Sequence, residues 1–264
     1  MSTHSDIINK FQALRRAARL RLLQMHYEAK VGHIGGNLSC LDATLFLHHF
    51  VMQSSDQFVL AKGHSVGALY IVLWSIGRLS DADLKEFHKD HTRLAGHPVS
   101  GWLPEIAVAT GSLGHGFPVS TGMALAKQLQ QQDGRVYCLM SDGEWQEGSN
   151  WEALIFAAHR QLERLTVLVD VNGLQGFGST DEVASMSDLA QRIRAFGATV
   201  HEIDGHDPES LLSLLEAPQQ GFQVILLKTV KGKGVSFMEN KMEWHYLPLN
   251  ADQFALATQE VENS

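Results

Sequence analysis

Two short polar segments follow apolar runs in the second half of the chain. Ser141-Asp142-Gly143-Glu144 comes directly after the run 136–140, and Asn172-Gly173 follows the run that begins at residue 165. Short apolar runs bounded by turn signals predict buried strands. Because consecutive parallel strands joined by one helix are usually neighbours, we expect Asp142 and Asn172 to meet at the same edge of a sheet.

These residue types suit a divalent cation that carries an anionic ligand. A carboxylate, an amide oxygen and a backbone carbonyl of the Asn172 loop form a hard oxygen set for Mg²⁺, with Ca²⁺ as a possible substitute. Phosphate oxygens and water would complete the coordination, and Gly143 would let a phosphate approach the backbone. Each segment alone has a structural explanation, since Asp142 can cap a helix and Asn172-Gly173 can form a turn. Their position at successive strand ends favours a site.

The elements that must position this site alternate along the chain. Strands are expected at 136–140, 165–169, 198–203 and 222–228, and helices at 6–30, 42–52, 65–77, 149–163, 187–196 and 208–216. Gly32 is expected to stop the first helix. The alternation predicts an α/β fold with a doubly wound, mostly parallel sheet flanked by helices. Since no repeat or linker marks a boundary, we expect one domain over residues 1–264.

Composition excludes several classes of protein. The formal charge of −8 gives no basic stripe for nucleic acid, and the arginines near residue 16 are interpreted as a solvated helix face. No apolar run is long enough to span a bilayer, and the first ten residues lack the apolar segment of a signal peptide. Two isolated cysteines among 264 residues indicate a reducing compartment, so a soluble, cytoplasmic protein is expected.

Histidine is unusually frequent, with fourteen residues, and several of them lie beside glycines. Imidazole titrates near neutral pH and can move protons on and off hydroxyl and carbonyl oxygens. The histidines that adjoin glycines are therefore candidates for catalysis, although each taken alone could have a structural role.

A resemblance to a known family extends over residues 10 to 250. Ser141-Asp142-Gly143-Glu144 followed by Asn172 resembles the thiamine-diphosphate (ThDP) binding motif, and the stretch between them resembles its transketolase version. Other blocks agree in order with that family: Gly32-His33-Ile34-Gly35-Gly36-Asn37-Leu38-Ser39, Lys62-Gly63-His64, Gly96-His97-Pro98, Thr110-Gly111-Ser112-Leu113-Gly114-His115-Gly116, Glu147-Gly148, Trp151-Glu152, Lys231-Gly232-Lys233-Gly234 and Trp244-His245.

The resemblance implies a role for each matching position. The metal on the cofactor diphosphate would be bound by Asp142, Asn172 and the carbonyl of Leu174. Cofactor contacts would come from His64, Gly111, Ser112, Leu113, Gly114, Gly143, Glu144, Asn172 and His245. Catalytic positions would be His33, His97, His115 and His245, which face the reactive thiazolium carbon and the substrate, and Glu147, which contacts the partner chain near its catalytic glutamate.

Four positions depart from the family pattern. Ser141 replaces a glycine, Ile34 a proline and His115 a glutamine, while Tyr246 stands where glycine is usual and adds bulk near the substrate mouth. A full transketolase also continues for several hundred residues beyond the length of this chain. The resemblance therefore implies the N-terminal subunit of a split transketolase, paired with a C-terminal subunit that carries the pyrimidine-binding domain, in an α2β2 heterotetramer.

The implied reaction moves a two-carbon ketol unit from a ketose to an aldehyde, with sugars or sugar phosphates as substrates. Two alternatives stay open: another ThDP enzyme, such as a 2-oxo acid dehydrogenase subunit or a deoxyxylulose-phosphate synthase, and a catalytically silent scaffold. A nicotinamide-binding domain is disfavoured, because no Gly-x-Gly-x-x-Gly follows a predicted strand.

Overall fold

A computed structural model describes residues 3–216 and 221–264, and within them a five-stranded parallel sheet forms the centre of the fold. The strands, in chain order, are β1 Gln57–Leu60, β2 Val136–Ser141, β3 Leu165–Val171, β6 Thr199–Asp204 and β7 Gln223–Lys228. Their spatial order is β1-β2-β3-β7-β6. Two further strands, β4 Leu174–Gln175 and β5 Gly178–Ser179, pair as an antiparallel hairpin directly after β3.

Helices cover both faces of this sheet. They are α1 His4–Ala29, α2 Ile34–Phe46, α3 Val66–Ser75, α4 Asp81–Leu84, α5 Gly116–Leu129, α6 Gly148–His159, α7 Thr180–Ala184, α8 Leu189–Ala195, α9 Pro208–Glu216 and α10 Ala251–Glu262. A π-helical turn, Leu47–Val51, prolongs α2, and short 3-10 turns occupy Gly63–Ser65, Gly143–Gln146 and Met242–His245.

Two buried cores lie on opposite faces of the sheet, as the alternation of side chains along each strand requires. In β2, Cys138 and Met140 join the core that packs under α5, α6 and α8. Tyr137 and Leu139 point the other way, into the core shared with α1, α2, α3 and α10. A strand buried on both faces has a continuous apolar sequence, which is why β2 and β3 could be predicted.

The predicted α/β fold is confirmed: the four predicted strands and the predicted helices after residue 148 all form, within a few residues of their expected bounds. The C-terminal helix α10 and the shortest elements were not predicted, and two further elements beside the site were also missed. β1 has only four residues, and α5 begins directly within the glycine-rich segment that ends at Gly116. Neither carries a long periodic pattern, so neither could be distinguished from a loop.

Two expectations about the first hundred residues are wrong. The first helix ends at Ala29, where Lys30 takes the left-handed conformation (φ 55°) that was expected of Gly32. The helix expected from residue 42 starts eight residues earlier, at Ile34. Gly35 lets the first turn of this helix pack closely on later segments, because a Cβ there would come within 3.1 Å of the Trp244 and Lys231 side chains.

None of the helices in the described ranges has the combined length and apolar character that a membrane span needs. Cys40 in α2 and Cys138 in β2 are free, buried thiols. Burial raises the pKa of Cys40 to about 11, so this thiol stays protonated and unreactive at neutral pH.

Candidate active site

A cleft of about 260 Å³ opens where β1, β2, β3 and β7 end. Both segments singled out in the sequence line it, together with the β4–β5 hairpin and the turn that ends at His245. The cleft therefore lies at the carboxyl ends of parallel strands, where open α/β sheets bind their ligands.

The predicted metal residues meet at this edge. β2 pairs with β3 so that Ser141 lies beside Asp170, and the Asp142 carboxylate accepts hydrogen bonds from the backbone N–H groups of Gly143 (2.8 Å) and Gly173 (2.6 Å). The amide oxygen of Asn172 accepts the N–H of Leu174 at 3.1 Å. Gly173 has φ 73°, a conformation that favours glycine and that turns the chain from β3 into the hairpin.

The Asp142 carboxylate is held in an unfavourable environment for an anion. It is 3% exposed, and burial together with the nearby charge of Asp170 raises its pKa from 3.8 to about 6. Each carboxylate oxygen keeps a lone pair beyond its backbone bond. A divalent cation at this point would offset the burial of the charge, so the residues present fit a metal ion.

The donor set also decides which metal would fit. Residues 3–216 and 221–264 contain no group of three or more His, Cys, Asp or Glu side chains arranged to hold a metal by themselves. One carboxylate with amide and carbonyl oxygens is instead the kind of incomplete oxygen set that Mg²⁺ completes with phosphate oxygens and water. The space around Gly143 does not by itself require a glycine, since a Cβ there would make only ordinary contacts, the closest at 3.4 Å.

A buried ion pair that the sequence reasoning missed lies behind the metal residues. The ammonium of Lys62, at the end of β1, contacts the carboxylate of Asp170 in β3, and Lys62 also donates to the carbonyl of Gly36 at 3.2 Å. Ser39 and Thr229 donate to the same carboxylate. Burial alone would raise the pKa of Asp170, but the Lys62 ammonium and these hydrogen bonds outweigh it and lower that pKa.

A second lysine faces the cleft from the segment after β7. Lys231 is 1% exposed, and its ammonium lies 3.2 Å from Nδ1 of His245. Burial, and then the charge of Lys62, lowers the pKa of Lys231 to about 8. Two buried ammonium groups thus line one small cleft, which is an arrangement that attracts an anion such as a diphosphate.

Four of the predicted histidines form one cluster above these groups. The ring of His33 is 5.1 Å from that of His245, 5.8 Å from that of His64 and 6.0 Å from that of His97. Burial is the main reason that the pKa values are lowered, to about 4 for His33 and about 3 for His245. The rings are therefore neutral at pH 7, and each can donate from one nitrogen and accept at the other.

A hydrogen bond fixes the orientation of the His245 ring, and backbone contacts hold the neighbouring segments against it. Because the Lys231 ammonium donates to Nδ1 of His245, that ring carries its proton on Nε2. The backbone N–H of His33, a residue with φ 65°, donates to the carbonyl of His245 at 3.1 Å. A Cβ on Gly111 would come within 2.9 Å of the His97 ring, so only glycine lets this loop lie against that histidine.

The predicted cofactor-binding and catalytic residues differ in whether they line the cleft. His64, Gly111, Leu113 and Gly143 line the cleft, whereas Ser112, Gly114, His115, Glu144 and Glu147 do not. Ser112, His115 and Glu147 are exposed on the α5–α6 side. Glu144 is fully buried, and its carboxylate accepts the N–H groups of Gly114 (3.1 Å) and Ser141 (3.4 Å), so it ties the 111–116 loop to the end of β2.

Two of the departures from the family pattern can be located. Ser141 is the last residue of β2 and is not among the residues with positive φ, so the strand end does not require glycine there. Tyr246 lines the cleft, half-exposed, and its hydroxyl donates to the carbonyl of Gly176 at 2.8 Å. The added bulk at the mouth that the sequence predicted is present.

This arrangement defines a class of protein: a parallel α/β domain whose strand ends carry a buried carboxylate, an amide and two buried lysines beneath a cluster of histidines. Comparison of the sequence with known protein families identifies the family within this class. Residues 12–262 match the family described as transketolase, thiamine diphosphate binding domain. The chain belongs to the transketolase family and is a transferase subunit of the transketolase type.

Relatives with assigned names cover most of the chain. One of the subunits of the apulose-4-phosphate transketolase of Phocaeicola vulgatus is 37% identical over 92% of this chain and 90% of its own length. The 6-deoxy-6-sulfo-D-fructose transketolase subunit SqwG of a Clostridium species is 36% identical over 88% of this chain and 89% of its own.

A solved transketolase has the same fold. The crystal structure of transketolase from Campylobacter jejuni superimposes with a TM-score of 0.88 at 28% identity. The match covers 96% of this chain but 42% of that protein, so this chain spans less than half the length of the solved transketolase.

Proposed function

We propose that this chain is the diphosphate- and magnesium-binding subunit of a ThDP-dependent transketolase that moves a two-carbon ketol unit from a ketose to an aldehyde acceptor. The observation that carries the proposal is the geometry of one cleft. Asp142, Asn172 and Leu174 lie at adjacent strand ends below His33 and His245. Family membership supports the cofactor.

In this proposal Mg²⁺ is held by Asp142, the amide oxygen of Asn172 and the carbonyl of Leu174, with Ca²⁺ as a possible substitute. The cofactor supplies the carbanion-stabilising chemistry of the ketol transfer. Lys62 and Lys231 lie close enough to this cleft to balance the negative charge of a diphosphate. Because bound anion would favour the charged form of Lys231, whose pKa is about 8, the lysine would be fully protonated in the loaded site.

The histidines are proposed to handle protons and charge at the substrate oxygens. A neutral ring whose Nδ1 accepts from Lys231 presents an N–H on Nε2, so His245 can donate a hydrogen bond to a carbonyl or alkoxide oxygen. His33 and His97 lie on two other segments of the same cluster and can contact a second oxygen. Leu113 and the β4–β5 hairpin line the cleft beside them and help to exclude water.

A partner subunit is part of the proposal. The named relatives are subunits, and Glu147, the residue implied to contact a partner, is exposed on the α5–α6 side of the cleft. We expect the partner to supply the pyrimidine-binding domain and its catalytic glutamate, and the pair to form an α2β2 heterotetramer in the cytoplasm. The present chain would act as one diphosphate-binding domain.

Sugars or sugar phosphates are the proposed substrates. The relatives are named for a pentulose phosphate and a sulfonated ketose, which differ in the charged end of the molecule but share the ketose head. A site whose histidines contact only the ketol end is compatible with this variety, because discrimination at the far end would fall to other residues.

The test is co-purification of this chain with its natural partner, followed by ThDP binding by calorimetry with and without Mg²⁺ and a screen of ketose donors and aldehyde acceptors. We expect metal-dependent binding and ketol transfer that needs both chains. Transfer at full rate by this chain alone would refute the split-subunit proposal, and CO₂ release from pyruvate would favour a different ThDP enzyme. Absence of metal-dependent ThDP binding by the complex would leave a scaffold role.

A further inference from the structure

Tyr246 joins two segments that approach the cleft from opposite sides. It directly follows the turn Met242–His245, and its hydroxyl donates to the carbonyl of Gly176 at the tip of the β4–β5 hairpin, 70 positions earlier in the chain. The distance is 2.8 Å, and a Cβ on Gly176 would lie only 2.4 Å from the hydroxyl oxygen. The contact therefore depends on both the tyrosine and the glycine.

The backbone of Tyr246 is packed as closely as its side chain. A Cβ on Gly32 would come within 2.3 Å of the Tyr246 carbonyl oxygen, and the neighbouring His33 N–H donates to the carbonyl of His245 at 3.1 Å. Since Tyr246 is thus fixed against the loop before α2, its hydroxyl is a stationary donor and not the end of a freely moving side chain.

The hairpin that receives this hydrogen bond is weak by itself. It has two residue pairs, Leu174 with Ser179 and Gln175 with Gly178, and so short a ribbon is marginal without outside contacts. Its base is held by the N–H of Thr180, which donates to Gly173 at 3.0 Å, and the side chain of Gln175 donates to Gln146 at 3.1 Å. The tip carries Phe177, which is 85% exposed and lines the cleft.

We propose that Tyr246 is a positioning residue that latches the β4–β5 hairpin to the segment carrying His245. The hairpin begins at Leu174, whose carbonyl is assigned to the metal under the proposed function, and its tip, with Phe177, forms one wall of the cleft. The Tyr246 hydroxyl therefore helps to set the position of a metal ligand and of the cleft opening relative to the histidine cluster. This inference rests on the proposed function for its metal, while the latch itself rests on contacts within the chain.

The test compares Tyr246→Phe, which removes only the hydroxyl, with Tyr70→Phe as the matched control. Tyr70 is buried under a different part of the fold, and its hydroxyl likewise donates to a backbone carbonyl, that of Ala95, at 3.0 Å. Hydrogen–deuterium exchange of residues 174–179 is measured on the ligand-free full chain. The Mg²⁺ concentration that half-saturates ThDP binding is measured by calorimetry on the same variants.

Loss of one net hydrogen bond increases the open population of the hairpin about fivefold. We expect Tyr246→Phe to speed exchange at 174–179 by about that factor and to raise the half-saturating Mg²⁺ concentration several-fold, with little change in thermal unfolding. Tyr70→Phe should lower the unfolding temperature and leave both other readouts unchanged.

Unchanged exchange at 174–179 in Tyr246→Phe would overturn the latch, as would an equal effect of Tyr70→Phe on that segment. If the wild-type chain and its complex bind no ThDP, the proposed function fails, but the exchange measurement still decides whether the latch exists. If ThDP binds and exchange rises while the Mg²⁺ dependence stays the same, the latch does not position the metal ligand, and that part of the proposal is refuted.

Discussion

Replacing Asp142 by asparagine should shift the stability of the ligand-free chain in favour of the variant as the pH rises, and it should remove metal-dependent cofactor binding. Burial, and then the charge of Asp170, raises the Asp142 pKa from 3.8 to about 6. At pH values below both pKa values, the carboxyl is protonated in the folded and the unfolded chain, so its ionisation does not change the free energy of unfolding. Between these pKa values the unfolded chain releases its proton first, so wild-type stability falls as the pH rises, by about 3 kcal/mol in total.

Asparagine has the shape of the carboxyl but only one acceptor oxygen, whereas the Gly143 and Gly173 N–H groups bond to different oxygens of Asp142. One of these N–H groups would face the amide NH2, so the variant should be less stable than the wild type near pH 4 by about 1–3 kcal/mol. Relative to the wild type, it should then gain up to about 3 kcal/mol between pH 4 and pH 8, because only the wild type pays for ionisation. Saturating Mg²⁺ and ThDP should then stabilise only the wild type, by about 2.7 kcal/mol at one hundred times the dissociation constant.

The assay is urea unfolding of both proteins in EDTA at several pH values, repeated with Mg²⁺ and ThDP. A stability difference that does not shift towards the variant between pH 4 and pH 8 would refute the reasoning, since it would mean that ionising the carboxylate is not a cost to the folded state. Retained metal-dependent binding would move the metal away from Asp142.

Two further outcomes follow from the same cleft. Lys62→Met leaves the buried Asp170 charge without its ion-pair partner and should lower the free energy of unfolding in urea by about 3–5 kcal/mol. Lys89→Met breaks an exposed pair with Glu86 and should lower it by less than about 1 kcal/mol. Equal losses in the two variants would contradict the burial argument. The rings of His33 and His245, with pKa values lowered by burial to about 4 and about 3, should show no NMR titration between pH 5.5 and 8 in the ligand-free chain. A midpoint in that interval would contradict the burial argument.

The strand-end residues were predictable because their signals are local. A buried parallel strand appears as an apolar run and its end as a turn signal, so Asp142 and Asn172 could be assigned to one edge from the pairing of consecutive strands. The register bears this out, with Ser141 opposite Asp170. The same reasoning could not find β1, whose four residues carry no period, and it therefore could not place Lys62 beside that edge.

The groups that the sequence reasoning missed are joined by long-range contacts. Lys62 and Asp170 are 108 positions apart, and Lys231 meets His245 only because the segment after β7 folds back over the cleft. A signal was available in part, since Lys62 and Lys231 lie in the glycine-rich blocks that carry the family resemblance. Their charge state was not available, because it depends on which neighbours are buried with them.

The sequence by itself determined the fold class, the strand ends that carry Asp142 and Asn172, and the family to which the chain belongs. The fold class and the strand ends depend on patterns within some thirty residues, and the family depends on short blocks whose order along the chain can be read directly. Only the tertiary structure decided that four histidines cluster while His115 stays outside, that Glu144 supports a loop from within the core, and that Tyr246 bonds to Gly176. The physical reason is that burial and pairing belong to the packed chain, and a residue's type fixes what it can bond to but not what lies beside it.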